Sequence, residues 1–547
     1  MDRFNPLCSQ PALYEGNDVI NMENKSLQNR VLMITTLTAF LTPFIGNAIN
    51  LAIPAIGRDL HGTVILLNWI VTAFLLLSAA FLLPFGRLAD LYGRKRIFMP
   101  GLILFSAATL LCGVAGNMVH LLLYRIIQGV GAAMMFSTSV PIMVSVFPPT
   151  ERGRVLGINA AAVYVGLSAG PVVGGFLTGA IGWRSIFWLV GILGVLVAAA
   201  AYYCLPEDKQ QPGLAWSSPA VNLLVFLSAC SLAVGSVLLM VSTAAWYPFW
   251  LVGAGLLGLI VFAVYEYQPG RSTERFDLLG ALLVVFPLCY LIYGTSSLTT
   301  SSVGPYSAVI GLVGLVLFGI HEYRFAHPLL DVAVLVKNRP FAFANLSGLI
   351  NYSATFSTGL LLSYYLQIVR GMPAAAAGSL LLVSPVVQAV LSPIAGRMSD
   401  RFQPRLVAGL GMTLTTFGLG ILSTLAAATP IWVIIGGLIS LGIGFALFAS
   451  PNTNTVMSSV EKRQYGVASS TLSTMRLVGQ ALSMAVVAFI FAADHVGRGH
   501  LSAALAPEML AAVKTGYMVF SGLCVLGILV TFAQGEIQRG EGKPRKA

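Results

Sequence analysis

The chain reads as an all-α polytopic membrane protein of 16 transmembrane helices, two six-helix bundles joined by a four-helix insert. Three observations predict this. Of the 547 residues, 57% are hydrophobic and only 9% charged, where a soluble domain carries roughly a quarter charged residues; mean hydropathy is +0.84. The charges that exist fall between uncharged runs long enough to cross a bilayer, which takes about 20 residues per helix. Placed on the resulting topology, the basic residues gather on one side. So apolar a composition cannot cover a water-soluble globule. Unbroken apolar runs of this length suit helices, which satisfy their own backbone groups in lipid. High hydrophobicity excludes disorder, and no basic run exceeds three residues, so nucleic-acid binding is a poor fit.

Residues 1–30 form a polar cytoplasmic tail containing Asp2, Glu15, Asp18 and Glu23, without the basic-then-apolar layout of a signal peptide. Runs at 31–57, 60–86, 97–116, 118–146, 155–181 and 185–205 give six spans, the first bundle of 31–205. The linker, 206–339, is predicted to hold four inserted helices. Residues 210–265 lack charge for 56 positions, enough for two helices with a break near Trp246-Tyr247-Pro248. Residues 278–320 supply two more, turning at the Ser/Thr/Gly/Pro-rich stretch 295–305. The second bundle, 340–535, follows as 340–369, 371–396, a charge-free 406–460 that turns near Thr429-Pro430, 464–493 and 515–535. A basic tail, 536–547, ends the chain.

An even count of spans puts both termini on one side. That side receives 24 of the 31 Lys and Arg residues; the other has five (Arg58, Arg184, Arg370, Arg498 and Lys514), and two, Arg125 and Arg476, lie within spans. This bias places both termini in the cytoplasm. It also accounts for the net charge of +11 without any polyanionic partner. The six cysteines (Cys8, Cys112, Cys204, Cys230, Cys289, Cys524) form no CxxC or metal-ligand spacing and read as small packing residues. The histidines (His61, His120, His321, His327, His495, His500) lie in loops or at span ends without ligand spacing, and no Walker-type nucleotide loop is present. No enzyme activity, cofactor or bound metal is expected.

The chain repeats itself. After the second span comes GRLADLYGRKR (86–96) and after the twelfth GRMSDRFQPR (396–405); Glu151-Arg152 after the fourth matches Glu461-Lys462 after the fourteenth. Paired six-helix halves with a substrate site between them are a transporter architecture. Within the linker, 247–270 resembles 305–328 down to a closing Glu-Tyr, so the four inserted helices read as two hairpins, by duplication or by shared apolar composition.

Gly86 and Gly93 suit a tight loop, and Asp90 can pair with Arg94 or cap a neighbouring helix. A loop that merely holds positive charge inside accounts for Arg94, Lys95 and Arg96, but not for the Gly-x-x-x-Asp-x-x-Gly spacing. This stretch resembles the signature loop of the major facilitator superfamily, and the resemblance implies that Asp90 and Arg94 latch a conformation. Arg125-Ile-Ile-Gln128-Gly129 lies in the fourth span, where a buried arginine is costly and is either functional or satisfied as a structural group. It resembles the superfamily's fourth-helix motif, which implies a coupling role for Arg125 with Gln128 beside it. Gly170-Pro171-Val-Val-Gly174-Gly175 in the fifth span would let helices touch and would bend the span. It is similar to the antiporter signature, and Asn68-Trp69 and Trp183-Arg184 fit the same drug:proton antiporter branch. The resemblance runs over nearly the whole chain and implies alternating access between two bundles, small-molecule substrates and protons, a multi-pass cytoplasmic or inner-membrane location, and a monomer.

Two departures stand out. Relatives in this branch commonly carry an acidic residue midway along the first span, where this chain has Ile45 in Ile45-Gly-Asn47-Ala-Ile-Asn50-Leu-Ala-Ile-Pro54. All 20 acidic residues can be placed in tails, loops or span ends. Either a carboxylate at a span end (Asp59, Asp90) carries the proton, or the substrate exchanges protons near Arg125, or transport is not coupled to protons. That branch also usually has fourteen spans, so sixteen means an extra hairpin.

The substrate-facing candidates are Asn47 and Asn50 in the first span, Asn351 and Tyr364 in the eleventh, and Gln388 in the twelfth, with Asn452 and Asn454 where Pro451 is expected to interrupt the fourteenth. Arg476 and Gln480 are one turn apart in the fifteenth; Arg476 is a binding residue or a structural one. The expectation is a secondary active exporter of small amphipathic or drug-like molecules, neutral or anionic because no carboxylate awaits a cation. An uptake or lipid carrier, a proton-independent facilitator, or a membrane receptor are the alternatives.

Overall fold

The structure is a computed structural model; it describes residues 14–148, 151–205, 276–298, 302–325, 328–460, 465–494, 496 and 505–535. Residues 206–275, to which two of the four inserted helices were assigned, lie outside the described residues, as do 1–13 and 536–547. The first half comprises α1 (Tyr14–Asp59), α2 (Val64–Tyr92), α3 (Arg94–Gly113), α4 (Met118–Val146), α5 (Arg152–Ala180) and α6 (Arg184–Cys204). A hairpin follows, α7 (Leu278–Ser296) and α8 (Gly304–Arg324), then the short α9 (Val332–Lys337). The second half holds α10 (Arg339–Thr355), α11 (Thr358–Tyr364) with a π-helical turn Tyr365–Val369, α12 (Ala374–Leu381), α13 (Val383–Arg401), α14 (Pro404–Ser423), α15 (Ile431–Ser458), α16 (Tyr465–Ala493) and α17 (Ala506–Phe532).

Among the described residues there is no strand. Among the described residues thirteen helices are long and apolar enough to cross a membrane; 339–369, expected as one span, is divided into α10, α11 and the π turn. Exposed Ile192, Leu196, Phe417, Trp432 and Leu529 would be a liability in water and are ordinary lipid-facing residues in a bilayer.

The two halves pair their helices alike. In the first, α1 packs on α5, α4 on α2 and α3, and α3 on α6; in the second, α10 packs on α16, α15 on α13 and α14, and α14 on α17. Contacts between halves repeat the same symmetry, with α2 against α16 and α5 against α12 and α13. The α7/α8 hairpin breaks it. α7 packs on both α2 and α16, with Trp69 and Tyr293 ring centroids 6.3 Å apart, so α2 is covered on nearly every side. α8 turns Val309, Ile310, Val313 and Val316 outward.

Four local features depart from the sequence expectation. The eleventh span breaks at Phe356-Ser357, where the Ser357 backbone N–H and hydroxyl meet the Ser483 hydroxyl at 3.1 and 2.8 Å. The twelfth breaks at Leu382, three residues before Pro385, which has no N–H to continue the ladder. The last span begins at Ala506. Pro451, by contrast, does not interrupt its helix: α15 runs through it, and the Thr453 and Thr455 hydroxyls donate to the carbonyls of Ala449 (2.8 Å) and Pro451 (3.1 Å).

Candidate functional site

Arg125 lies two turns into α4 and is fully buried. Its Nε donates to the Ile70 carbonyl of α2 at 2.9 Å, and Nη1 donates to Gln128 Oε1 one turn on. Gln128 Nε2 in turn donates to Thr109 Oγ1 of α3 at 2.6 Å. The guanidinium stands over the Phe74 ring, 4.4 Å from its centroid, and Nη2 has no partner. No carboxylate pairs with Arg125 among the described residues. A buried cation held by a carbonyl, an amide and a ring leaves its charge uncompensated among the described residues. The structural and functional readings of Arg125 therefore coexist: the network stitches α2, α3 and α4 together and leaves one N–H group open.

A second polar set lies in the other half. Asn351 is fully buried with neither amide atom partnered. The Tyr364 hydroxyl, Gln388 Nε2 and Asn452 Oδ1 are likewise buried without partners, and Tyr364 meets Phe491 edge-on at 5.5 Å. Arg476 and Gln480 are half-buried. These residues sit on α10, α11, α13, α15 and α16, and α10 touches both α15 and α16. More than nine in ten buried polar groups normally find partners, so each of these open ones stands out, as do those of the first half. Asn454 belongs elsewhere: its amide donates to Ser399 Oγ at 3.0 Å, beside the 396–405 loop. Asn68, which the sequence marks only through the branch resemblance and not as a site residue, is fully buried on α2 with both amide atoms unpartnered; a lone amide inside an apolar run was the available signal.

The halves are held together at the end of the molecule that carries Asp59. Asn47 ties α1 to α5 through the Leu167 carbonyl at 3.1 Å. The next carbonyls of α1 face the other half: that of Asn50 accepts from Ser363 Oγ at 2.8 Å and that of Leu51 from Gln367 Nε2 at 3.2 Å. On α5, a Cβ at Gly170 or Gly174 would stand 2.7 Å from backbone atoms of Phe44 or Ala48, so the glycines let α1 lie against α5. One residue on, Gly175 faces the Ala374 carbonyl, and Pro171 faces Gly378 of α12. Asp59 itself accepts from Arg184 at 2.5 Å and Trp183 Nε1 at 3.1 Å.

At the opposite end, Gly93 has φ 113°, a backbone that joins α2 to α3 and that other residues rarely adopt. Asp90 and Arg94 form an ion pair at 3.4 Å, and Arg94 also donates to the Pro141 carbonyl of α4 at 3.0 Å. Lys95 Nζ reaches the Leu205 carbonyl after α6 at 2.6 Å. Gly86 is not crowded; a Cβ there would meet Ser137 at 3.7 Å, an ordinary contact.

The family model of the Major Facilitator Superfamily matches residues 35–329 and 344–547. The riboflavin transporter RibZ of Clostridioides difficile is 25% identical over 505 residues, covering 92% of this chain and 96% of that protein. The multidrug resistance protein Stp of Mycobacterium tuberculosis is 28% identical, covering 88% and 78%. Among solved structures, a bacterial homologue of the human lysosomal transporter Spinster has a TM-score of 0.58 at 16% identity, covering 93% and 97%, and the POT family transporter PepTSo 0.60 at 12%, covering 92% and 97%; both speak for the fold alone. With the helix pairing repeated in both halves and the motif residues in place, the chain belongs to the major facilitator superfamily, a membrane carrier rather than an enzyme, and resembles its drug:proton antiporter branch.

Proposed function

We propose that this protein exports small amphipathic molecules, neutral or anionic, across the cytoplasmic membrane by alternating access in exchange for protons. The observation that carries the substrate class is Arg125, a buried guanidinium with no carboxylate partner and one open nitrogen. The half-buried Arg476 in the second half adds a second positive group. The predicted topology, with both termini cytoplasmic, makes the Asp59 end extracellular. The inter-half hydrogen bonds of Asn50 and Leu51 then form a closed outer gate, and the conformation is inward-facing. In this reading Gly86, Gly93, Asp90 and Arg94 govern the inner end; Gly170, Pro171 and Gly174 set the bend and fit of α5. Asn47, Asn50, Asn351, Tyr364, Gln388, Asn452, Arg476 and Gln480 are the candidate substrate contacts, whereas Asn454, bonded to Ser399, is not among them. Relatives named as multidrug resistance proteins support export.

The test is uptake of dyes of each charge class into inside-out vesicles, with and without an imposed proton gradient. Gradient-driven accumulation of anionic or neutral dyes, lost in Arg125→Ala, is expected; accumulation of cationic dyes alone refutes the substrate class. Uptake on the same scaffold is a second reading, favoured by the relative named a riboflavin transporter. Higher substrate content in expressing cells, in place of lower, would select it.

A further inference from the structure

The foot of the α7/α8 hairpin gathers three titratable side chains that the transport pathway does not use. Asp277 caps α7: its Oδ1 accepts the Gly280 backbone N–H at 2.7 Å, and the residue is 2% exposed. From α8, His321 Nε2 approaches both Asp277 oxygens, at 3.0 and 2.9 Å. Glu322, the next residue, is also 2% exposed; its Oε2 accepts from the Leu330 backbone N–H at 3.1 Å, and its Oε1 has no partner. Gly280 shows where that oxygen faces. A Cβ on Gly280 would stand 2.5 Å from Asp277 Oδ2 and closer still to Glu322 Oε1, so the two oxygens are less than twice that distance apart. Two buried carboxylate oxygens this near one another repel, and a proton or another positive group between them relieves the repulsion.

Among the described residues the charges on neighbouring elements do not supply it; Arg271, Glu274, Arg275 and His327 lie outside the described residues. On α8, Arg324 is exposed; on α9, Asp331 is turned to its own cap at Val334 N and Lys337 is exposed. At this end of α2, Arg87 is half-buried and Asp90 is exposed and paired with Arg94. The described side chains of α16 near its start bring no charge. Among the described residues, Asp277 and His321 are the titratable groups beside Glu322. His321, whose side chain is 20% exposed, stands between this carboxylate pair and the aqueous surface.

We propose that Asp277, Glu322 and His321 form a proton-binding site, in which one proton is held between Glu322 Oε1 and Asp277 Oδ2 and exchanges with water by way of His321. On arrival the proton bonds to Glu322 Oε1 and the hydroxyl donates to Asp277 Oδ2; on departure Glu322 is left as a carboxylate and the proton passes to the imidazole and then to water. The site is independent of transport direction and substrate. It also touches the second half, because the Leu330 N–H that Glu322 accepts belongs to the loop leading into α9 and α10.

Infrared difference spectra of the full chain in liposomes, recorded between alkaline and acid pH, test it. The wild type should show a protonated-carboxyl band that shifts in heavy water, and E322Q should remove it and one titrating proton per chain. The amide of E322Q can donate to Asp277 where the proton did, so its thermal unfolding midpoint should remain near that of the wild type at acid pH. D277N keeps an N-cap and should move the band without abolishing it, whereas H321Q should retain the band and slow its exchange. A wild type without the band, or an E322Q protein that retains it, overturns the proposal. So does a band that vanishes when choline is replaced by sodium at fixed pH, which would make the ligand a small cation.

Discussion

Replacing Gly378 with leucine should push the transporter out of the state in which α5 and α12 are shut together, the inward-facing one under the function proposed above. In that state α12 lies against α5 so closely that a Cβ at position 378 would collide with the Pro171 carbonyl and stand 3.0 Å from Leu51 Cδ1. The first obstacle is backbone and cannot rotate away. Forcing side-chain atoms into a packed contact costs about 1–3 kcal/mol, and the cost falls only on the state in which this seam is shut. The ratio of inward- to outward-facing molecules should therefore drop roughly 5- to 150-fold. The assay is labelling from outside the cell of Ser363→Cys, whose parent hydroxyl meets the Asn50 carbonyl across the gate, with the native cysteines replaced by serine. Labelling should rise by that factor, and spin labels at Arg154 and Phe402, on the two halves at the opposite end, should approach one another. If both readouts stay at the parent values while the protein remains folded, the seam between α5 and α12 does not gate access.

Arg125→Lys should insert and fold yet lose at least 10-fold in substrate flux, because an ammonium cannot hold both the Ile70 carbonyl and Gln128 in the geometry of a guanidinium; flux in vesicles normalised to protein checks it. Gly93→Ala should cost about 1–3 kcal/mol, the strain of φ 113° for a residue with a side chain, seen as a lower unfolding midpoint in detergent. Asp59→Asn should move that midpoint little, since its pair with Arg184 is roughly half exposed and such pairs contribute about 0.2–1 kcal/mol.

Much of the fold was legible because charge is so sparse that each Lys, Arg, Asp or Glu marks a span end. What escaped depends on partners far away in sequence. The break at Phe356-Ser357 carries no proline or glycine; it is held by Ser483, 126 residues on. Arg125 is visible as a cation in an apolar run, but its partners, a carbonyl of α2 and a threonine of α3, cannot be read from its neighbours. Pro451 was expected to break α15, yet the hydroxyls of Thr453 and Thr455 bond carbonyls one turn back and the helix continues. Asp277 and Glu322 sit where charges normally sit, at span ends, and nothing local distinguishes them from solvated residues. Their burial arises only when α7, α8 and the loop at Leu330 close over them.

The hairpin bears on how the halves can move. Each half offers its second and fifth helices to the other, so two like seams, α2 with α16 and α5 with α12 and α13, relate the bundles. Rocking that opens one end must change both seams together. Among the described residues only the first is roofed, by α7, which touches α2 and α16 at once and pairs Tyr293 with Trp69. A helix fixed to both sides of a moving seam has to slide on at least one of them, and its surface suits that: α7 presents Val284, Val285, Leu288 and Ile292 as buried aliphatic packing, which resists sliding less than directional hydrogen bonds would. Charge is confined to the foot of the hairpin, where Asp277 and His321 join α7 to α8 and Glu322 accepts from the loop that enters the second half. The hairpin is thus held along its length by apolar packing and tied by polar contacts at its base, so motion of the second half is transmitted to it at the place where its carboxylates and histidine lie.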